Sequence, residues 1–161
     1  MEKIIKMPNG AKYLSEVFYF GSKYGDSLPQ NCIFNKVTTG CGGTYVALHS
    51  FRPTVIAVPT KALVRDKATQ DKYAHLNILP VSSEYPFVGV PKNCTKIICT
   101  YQSLPEIAKH IDISRWDLVV DEMHLLNKMM NFSMGALQWM MDNFKKFASY
   151  CFMSATVSPD E

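Results

Sequence analysis

Two adjacent carboxylates and a histidine follow a short apolar run of the sequence. Residues 118–120 predict a strand that is buried on both faces of a parallel sheet, and Asp121, Glu122 and His124 come directly after it. Open α/β sheets bind ligands at the carboxyl ends of their strands. There Asp121 could hold Mg²⁺ and Glu122 could polarise an attacking water, as phosphoryl transfer requires. Taken alone, these residues also fit a strand that ends in a solvated acidic turn.

A second group of residues suited to chemistry is the glycine-rich loop near residue 40. It lies between a predicted strand over 32–37 and a predicted helix over 45–49, and contains Gly40, Cys41, Gly42, Gly43 and Thr44. In a strand–loop–helix unit, successive backbone N–H groups point inward and the helix N-terminus adds partial positive charge, which favours a phosphate. Glycines in a tight strand–helix turn also occur without any ligand, so the loop alone leaves both interpretations open.

The elements that must position these groups alternate along the chain. Further strands are predicted over residues 54–58, 78–81, 96–100 and 150–153, and further helices over 11–20, 61–76, 104–111 and 133–147. Residues 82–93, rich in Ser, Pro and Gly, predict an exposed loop. Strands that alternate with helices about six times predict an α/β fold whose parallel sheet is covered on both faces.

Length and composition are those of one globular domain, with 161 residues, 47% of them hydrophobic, and a net charge of +3. The five cysteines are scattered without a CxxC pair, which argues against a disulfide framework or zinc site and favours a reducing, cytoplasmic setting. No signal-like or membrane-spanning run is found, so no membrane partner is expected. Residues 51–100 carry seven Lys/Arg and three Asp/Glu, which suits a phosphate backbone as well as ordinary solvated helix faces.

The order of the short motifs resembles the first RecA-like domain of superfamily 2 helicases and translocases, of the DEAD/DEAH-box type. After the glycine loop come Pro-Thr-Lys at 59–61, Thr-Tyr-Gln-Ser at 100–103, Asp-Glu-Met-His at 121–124 and Ser-Ala-Thr at 154–156, each following a predicted strand. The resemblance runs from about residue 31 to residue 159. It implies a three-layer, RecA-like (P-loop NTPase-like) domain over 31–161, preceded by a helical lead-in over 1–30.

The resemblance implies an ATPase whose hydrolysis is coupled to DNA or RNA binding, with ATP and Mg²⁺ as cofactors. The catalytic residues would be Asp121, Glu122 and His124. Thr44 and Asp121 would bind Mg²⁺, and residues 40–44 would bind the nucleotide phosphates. Contact with nucleic-acid phosphates, or coupling of that contact to the nucleotide, would fall to Pro59, Thr60, Lys61, Thr100, Gln102, Ser154 and Thr156, with His124 also coupling. Such contacts give affinity and salt dependence but little sequence preference.

The sequence departs from the family in the glycine loop, which in the family ends in Gly-Lys-Thr. The matching triplet is Gly42-Gly43-Thr44, so Gly43 stands where the family has the lysine that reaches the β- and γ-phosphates. An electrostatic donor of this kind is typically worth about 3–4 kcal/mol, so weak nucleotide binding and little turnover are expected. Lys36 is the nearest cation in sequence, but on the strand before the loop it would have to fold back.

A superfamily 2 motor also needs a second RecA-like domain, in cis or in trans, which usually supplies an arginine finger. The sequence stops just after the Ser-Ala-Thr motif, so this domain is expected to be one part of a longer protein or of an assembly. Two alternatives stay open. A catalytically inactive helicase-like module would bind nucleic acid or protein as a scaffold, and a nucleotide enzyme of the P-loop type would ignore polynucleotides.

Overall fold

The computed structural model describes residues 4–7, 9–36, 42–123 and 134–154. Within these ranges six strands form one all-parallel sheet in the order β1-β6-β5-β2-β4-β3. The strands are β1 Cys32–Asn35, β2 Thr54–Val58, β3 Ile78–Val81, β4 Lys96–Thr100, β5 Asp117–Val120 and β6 Ser149–Ser154. The helices are α1 Gly43–His49, α2 Lys61–Ala68, α3 Leu104–Ala108 and α4 Met134–Asn143. The predicted α/β domain with a parallel sheet is confirmed.

The two inner strands β2 and β5 are buried along their whole length, as their continuous apolar sequences predict. They pair in parallel with Ala57 opposite Val120, so both strands end at nearly the same level. Asp121 extends the pairing by one residue, because its N–H donates to the Ala57 carbonyl at 2.9 Å. This bond fixes the first residue after β5 at the carboxyl edge of the sheet.

Helices cover both faces of the sheet. Val46 of α1 and Val64 of α2 belong to the core on one face, whereas Ile107 of α3 and Met140 of α4 belong to the core on the other. The helix that follows β2 therefore covers one face of the sheet, and the helix that follows the neighbouring strand β5 covers the other face. Open α/β sheets bind ligands at such a switch point, outside the carboxyl ends of the strands.

The prediction of a helix over residues 11–20 is wrong. The segment contains a single 3₁₀ turn, Leu14–Glu16, whose Glu16 carboxylate accepts the backbone N–H groups of Lys12 and Tyr13. Leu14, with Val17 and Phe18, is buried in the same core as α1. The apolar spacing was thus a correct sign of burial, but one turn packed against α1 satisfies it without a continuous helix.

Three other helices end earlier than predicted, among them α3, which ends at Ala108 rather than near residue 111. Helix α2 stops at Ala68, where the hydroxyl of Thr69 donates to the Arg65 carbonyl at 2.7 Å. Helix α4 stops at Asn143, whose side-chain amide donates to the Trp139 carbonyl at 2.7 Å. Each bond gives a carbonyl near the helix end a side-chain donor, so that the carbonyl has a polar partner where the helix stops. In the part of the chain described, no helix has the length and hydropathy to span a membrane.

Candidate functional site

Four polar side chains from different parts of the chain meet at the carboxyl edge of the sheet. Lys36 follows β1, Asp121 follows β5, Thr44 is in the first turn of α1, and Lys67 is in the last turn of α2. We call these four residues the Asp121 cluster. Its most distant contact in sequence, between Lys36 and Asp121, joins residues 85 positions apart. Parallel strands that end at one edge bring them together.

The carboxylate of Asp121, 1% exposed, is the centre of this cluster. Its Oδ1 lies 3.3 Å from Lys36 Nζ, and its Oδ2 lies 3.4 Å from Lys67 Nζ. Lys67 also donates to the Thr44 hydroxyl at 3.0 Å, and that hydroxyl points to Asp121 Oδ2 at 3.5 Å. Each oxygen of this buried carboxylate thus has a lysine ammonium group beside it, which offsets part of the cost of burying a charged group.

The turn after β5 is stabilised by hydrogen bonds to its backbone as well as by contacts with the Asp121 carboxylate. The hydroxyl of Tyr101 donates to the backbone carbonyl of Asp121, and the N–H of Glu122 donates to Asp121 Oδ1 at 2.9 Å. Burial, and then the charges of Asp121 and Glu122, raises the pKa of Tyr101, so its hydroxyl stays protonated and remains a donor. Glu122 has a φ of +58°, a left-handed conformation that non-glycine residues rarely adopt.

The described end of the glycine loop explains the glycine at position 43. Gly42, with φ of +89°, caps α1 in the left-handed region that suits glycine. A Cβ added to Gly43 would lie 2.7 Å from Met153 Sδ and 3.2 Å from its Cε, and Met153 is fully buried in β6. Any side chain at position 43 therefore requires Met153 to move. The other two predicted loop residues, Gly40 and Cys41, lie outside the described residues.

The residues predicted to contact nucleic acid follow β2 and β4, which are neighbours in the sheet. Thr60 and Lys61 are exposed after β2, and Gln102 is exposed after β4. The Thr60 hydroxyl also caps α2 by accepting the Leu63 N–H at 3.2 Å. Both motifs therefore lie at the same edge as the Asp121 cluster, with free polar surface for a ligand.

The other members of the two motifs are less accessible. Pro59 is buried, and Thr100 is half-buried with its hydroxyl 2.9 Å from that of Ser103. Ser154 ends β6, and its carbonyl accepts the Lys36 N–H at 2.9 Å. The remaining predicted site residues, His124 and Thr156, lie outside the described residues. Their roles stay predictions.

Sequence reasoning missed Lys67 and Tyr101 and undervalued Lys36. Lys67 lies three residues after the buried Val64, so it is on the inward side of α2, where a lysine is unusual. Lys36 does not need to fold back, because only β6 separates the ends of β1 and β5. Two strand spacings are about 10 Å, which a lysine and an aspartate side chain bridge together.

The chemistry of the cluster suits a magnesium ion that arrives with phosphates. Mg²⁺ commonly takes one or two protein oxygens and completes its shell with phosphate oxygens and water. Thr44 and Asp121 offer a hydroxyl and a carboxylate side by side, and no group of three His, Cys, Asp or Glu is found among the described residues. The oxygens of Thr44 and Asp121 fit a nucleotide-bound Mg²⁺. To bind it, they would have to give up their contacts with the lysines.

No protein-family model matches the chain, and no curated protein matches it either. The chain is a parallel six-stranded α/β domain, and its function has to be inferred from the residues at the carboxyl edge of the sheet.

Proposed function

We propose that this chain is a helicase-like, nucleic-acid-dependent ATPase domain of the RecA-like type, which binds ATP and Mg²⁺ at the carboxyl edge of its sheet. The observation that carries the proposal is the pairing of Thr44, in the first turn of α1, with the buried Asp121 after β5. In P-loop NTPases, a loop Ser/Thr and a strand-end Asp hold the Mg²⁺ of the nucleotide. The motif order of this sequence supports the same assignment.

The residues around the pair support a role in phosphoryl transfer. Bound Mg²⁺ neutralises phosphate charge, and Thr44 and Asp121 would hold it. Glu122 is the next residue, and its left-handed backbone and its hydrogen bond to Asp121 fix the turn that carries its carboxylate. We assign it the role of orienting and polarising the attacking water. Gly42 supplies the left-handed turn that leads from the loop into α1, a conformation that suits a phosphate-binding loop.

The neighbouring surface supports contact with a nucleic-acid backbone. Thr60, Lys61 and Gln102 are exposed at the ends of two adjacent strands. A positive charge and hydrogen-bond donors along one edge suit phosphates, which are contacted without regard to sequence. Turnover would also need a second RecA-like domain, in cis or in trans, to close the site around the nucleotide.

The proposal is tested by calorimetric binding of a non-hydrolysable ATP analogue in the presence of Mg²⁺. We expect weak binding by the wild-type protein and at least tenfold weaker binding by Asp121→Asn, because the amide cannot serve Mg²⁺ as a charged ligand. Asp142→Asn is the matched control, since Asp142 is exposed on α4, where it accepts from Gln138. Absence of binding by the wild type at millimolar analogue would contradict the proposal.

Nucleic-acid binding is tested with labelled single-stranded DNA and RNA by fluorescence anisotropy at several salt concentrations. Lys61→Ala should weaken binding of all sequences similarly and reduce the slope of log K against log salt by about 1, as expected for one lost phosphate contact. Lys145→Ala is the control, because Lys145 precedes β6 and lies at the opposite edge of the sheet. Equal effects of the two substitutions would argue against this surface.

One observation favours a second candidate, a catalytically inactive helicase-like module that acts as a scaffold. Position 43 carries no cation, and both oxygens of Asp121 are already paired with lysines. Such a module would bind nucleic acid with the same salt dependence but would bind no nucleotide in the calorimetric experiment. The two experiments together therefore separate the candidates.

A further inference from the structure

The Asp121 cluster contains two lysines for one carboxylate, and this ratio needs an explanation. The side chain of Lys36 is 7% exposed and that of Lys67 is 20% exposed, against 1% for Asp121. Removing an ammonium group from water is unfavourable unless a close carboxylate offsets the lost hydration. One lysine would be enough to neutralise Asp121. The second adds another largely buried positive charge beside Asp121, at the turn that also carries Glu122.

The position of these lysines relates them to the altered loop. Lys67 Nζ is 3.0 Å from the hydroxyl of Thr44, the residue directly after Gly43. Lys36 is the last described residue before the loop, and its N–H is bonded to Ser154 at the end of β6. One lysine therefore precedes the loop in the chain, and the other contacts the residue that follows Gly43. A side chain at position 43 itself would collide with the buried Met153.

We propose that Lys36 and Lys67 together replace the absent loop lysine as the phosphate-binding cations, and that Asp121 holds them in place until a phosphorylated ligand binds. This inference rests on the proposed function and specifies its ligand as the polyphosphate of a nucleotide. When the ligand binds, its phosphate oxygens take over the contacts of both ammonium groups. Asp121 and Thr44 are then released to serve as ligands of Mg²⁺.

The first test is calorimetric binding of an ATP analogue with Mg²⁺ to Lys36→Met, Lys67→Met and the double variant. Each single variant should bind at least tenfold more weakly than the wild type, and the double variant at least a hundredfold, because each loses a charge-assisted contact with phosphate. Lys109→Met is the matched control, since Lys109 is exposed and pairs only with Glu106 among the described residues. It should bind as the wild type does.

The possible outcomes separate this inference from the function on which it rests. Lysine variants that bind within twofold of the wild type overturn the inference and leave the proposed ATPase intact. A wild-type protein that binds no nucleotide overturns both. Because a methionine beside Asp121 leaves a buried charge with fewer partners, Lys36→Arg and Lys67→Arg are measured in parallel. Retained charge should restore most of the binding if the lysines act as cations.

A second test uses inorganic tripolyphosphate in EDTA, without any metal ion. If Asp121 merely holds the lysines, Asp121→Asn should bind tripolyphosphate several-fold more tightly than the wild type, because the competing carboxylate charge is gone. The same substitution weakens Mg²⁺-dependent nucleotide binding, so its two effects have opposite signs. Unchanged or weaker metal-free binding by Asp121→Asn would overturn the inference. Asp142→Asn again provides the control.

Discussion

Asp121 is held through its backbone as well as through its side chain. Its N–H donates to Ala57, its carbonyl accepts from Tyr101, and its carboxylate is shared between Lys36 and Lys67. Buried polar groups that lose one partner cost more than the lost bond, because the remaining group has been taken out of water. Substitutions around Asp121 should therefore affect stability and ligand binding together.

Tyr101→Phe tests whether the tyrosine hydroxyl positions this turn. The variant removes one buried hydrogen bond to the Asp121 carbonyl and should lower the free energy of unfolding by about 1–2 kcal/mol. Tyr73→Phe is a matched control, because Tyr73 is equally buried and its hydroxyl donates no hydrogen bond in the described part of the chain. Urea denaturation measures both. Equal losses in the two variants would show that the Tyr101 hydrogen bond contributes little.

At the scale of elements, the start of α1 is shaped by its contact with β6. Gly43 lies against Met153, and α1 continues the core with Val46 and Leu48. The atoms that a Cβ at position 43 would meet are the thioether sulfur and methyl group of Met153, so a side chain there fits only if the end of this buried methionine moves. Packing against Met153 therefore favours glycine at this position.

Gly43→Ala should destabilise the protein by about 1–3 kcal/mol, because the added methyl group overpacks the site of Met153. Gly135→Ala, in α4, is the matched control. A Cβ there meets no described atom within 4 Å, so alanine should stabilise by about 0.5 kcal/mol through its better helix propensity. Thermal unfolding of both variants decides the point. A stabilising Gly43→Ala would contradict the packing account.

The N-terminus of α2 combines a structural and a proposed binding role in one residue. The Thr60 hydroxyl caps the helix, and Thr60 is also one of the exposed residues assigned to nucleic acid. Thr60→Ala should cost about 1 kcal/mol of stability through loss of the cap. Thr60→Asp keeps a capping oxygen but adds a negative charge. Thr60→Asp should therefore preserve stability, measured by denaturation, and weaken nucleic-acid binding, measured by fluorescence anisotropy. Unchanged binding would argue against the assignment of Thr60 to nucleic acid.

At the scale of the whole molecule, Lys96 stabilises the sheet at the edge opposite the site. It begins β4 and is 6% exposed, and its ammonium lies within hydrogen-bond distance of four acceptors, Ala47 O, Ser50 Oγ, Arg52 O and Thr54 Oγ1, which its three N–H groups share. These contacts join the end of α1 to the start of β2. Lys96→Met should remove these charge-assisted hydrogen bonds and lower the free energy of unfolding by about 2–3 kcal/mol at pH 7.

The Lys96 contribution should also depend on pH. Burial lowers the pKa of Lys96 from 10.5 to about 8, so between these values the unfolded chain binds more protons than the folded one. Stability then rises with pH, by up to about 1.4 kcal/mol per pH unit inside this window. The stability difference between wild type and Lys96→Met should therefore grow from pH 8 to pH 10. A difference that shrinks would contradict the assignment.

Local sequence predicted the strands better than the helices. Runs rich in Val and Ile, such as 54–58 and 96–100, form strands at the predicted bounds, because burial between two helical layers requires continuous apolar residues. The segment at 11–20 has helical spacing but forms one turn, since packing against α1 rather than propensity decides its conformation. Helix ends depended on side-chain bonds of Thr69 and Asn143, which spacing does not reveal.

What the sequence determined by itself is the α/β alternation and the position of polar motifs after buried strands. Both follow from hydrophobic pattern and turn chemistry, which are local. Only the tertiary structure decided that Lys36 and Lys67 meet Asp121, that Tyr101 holds its carbonyl, and that Met153 closes position 43. These partners lie between about 20 and 110 positions apart in the chain, and strand order and register bring them together. Long-range packing sets that order, so no local pattern could have predicted the cluster.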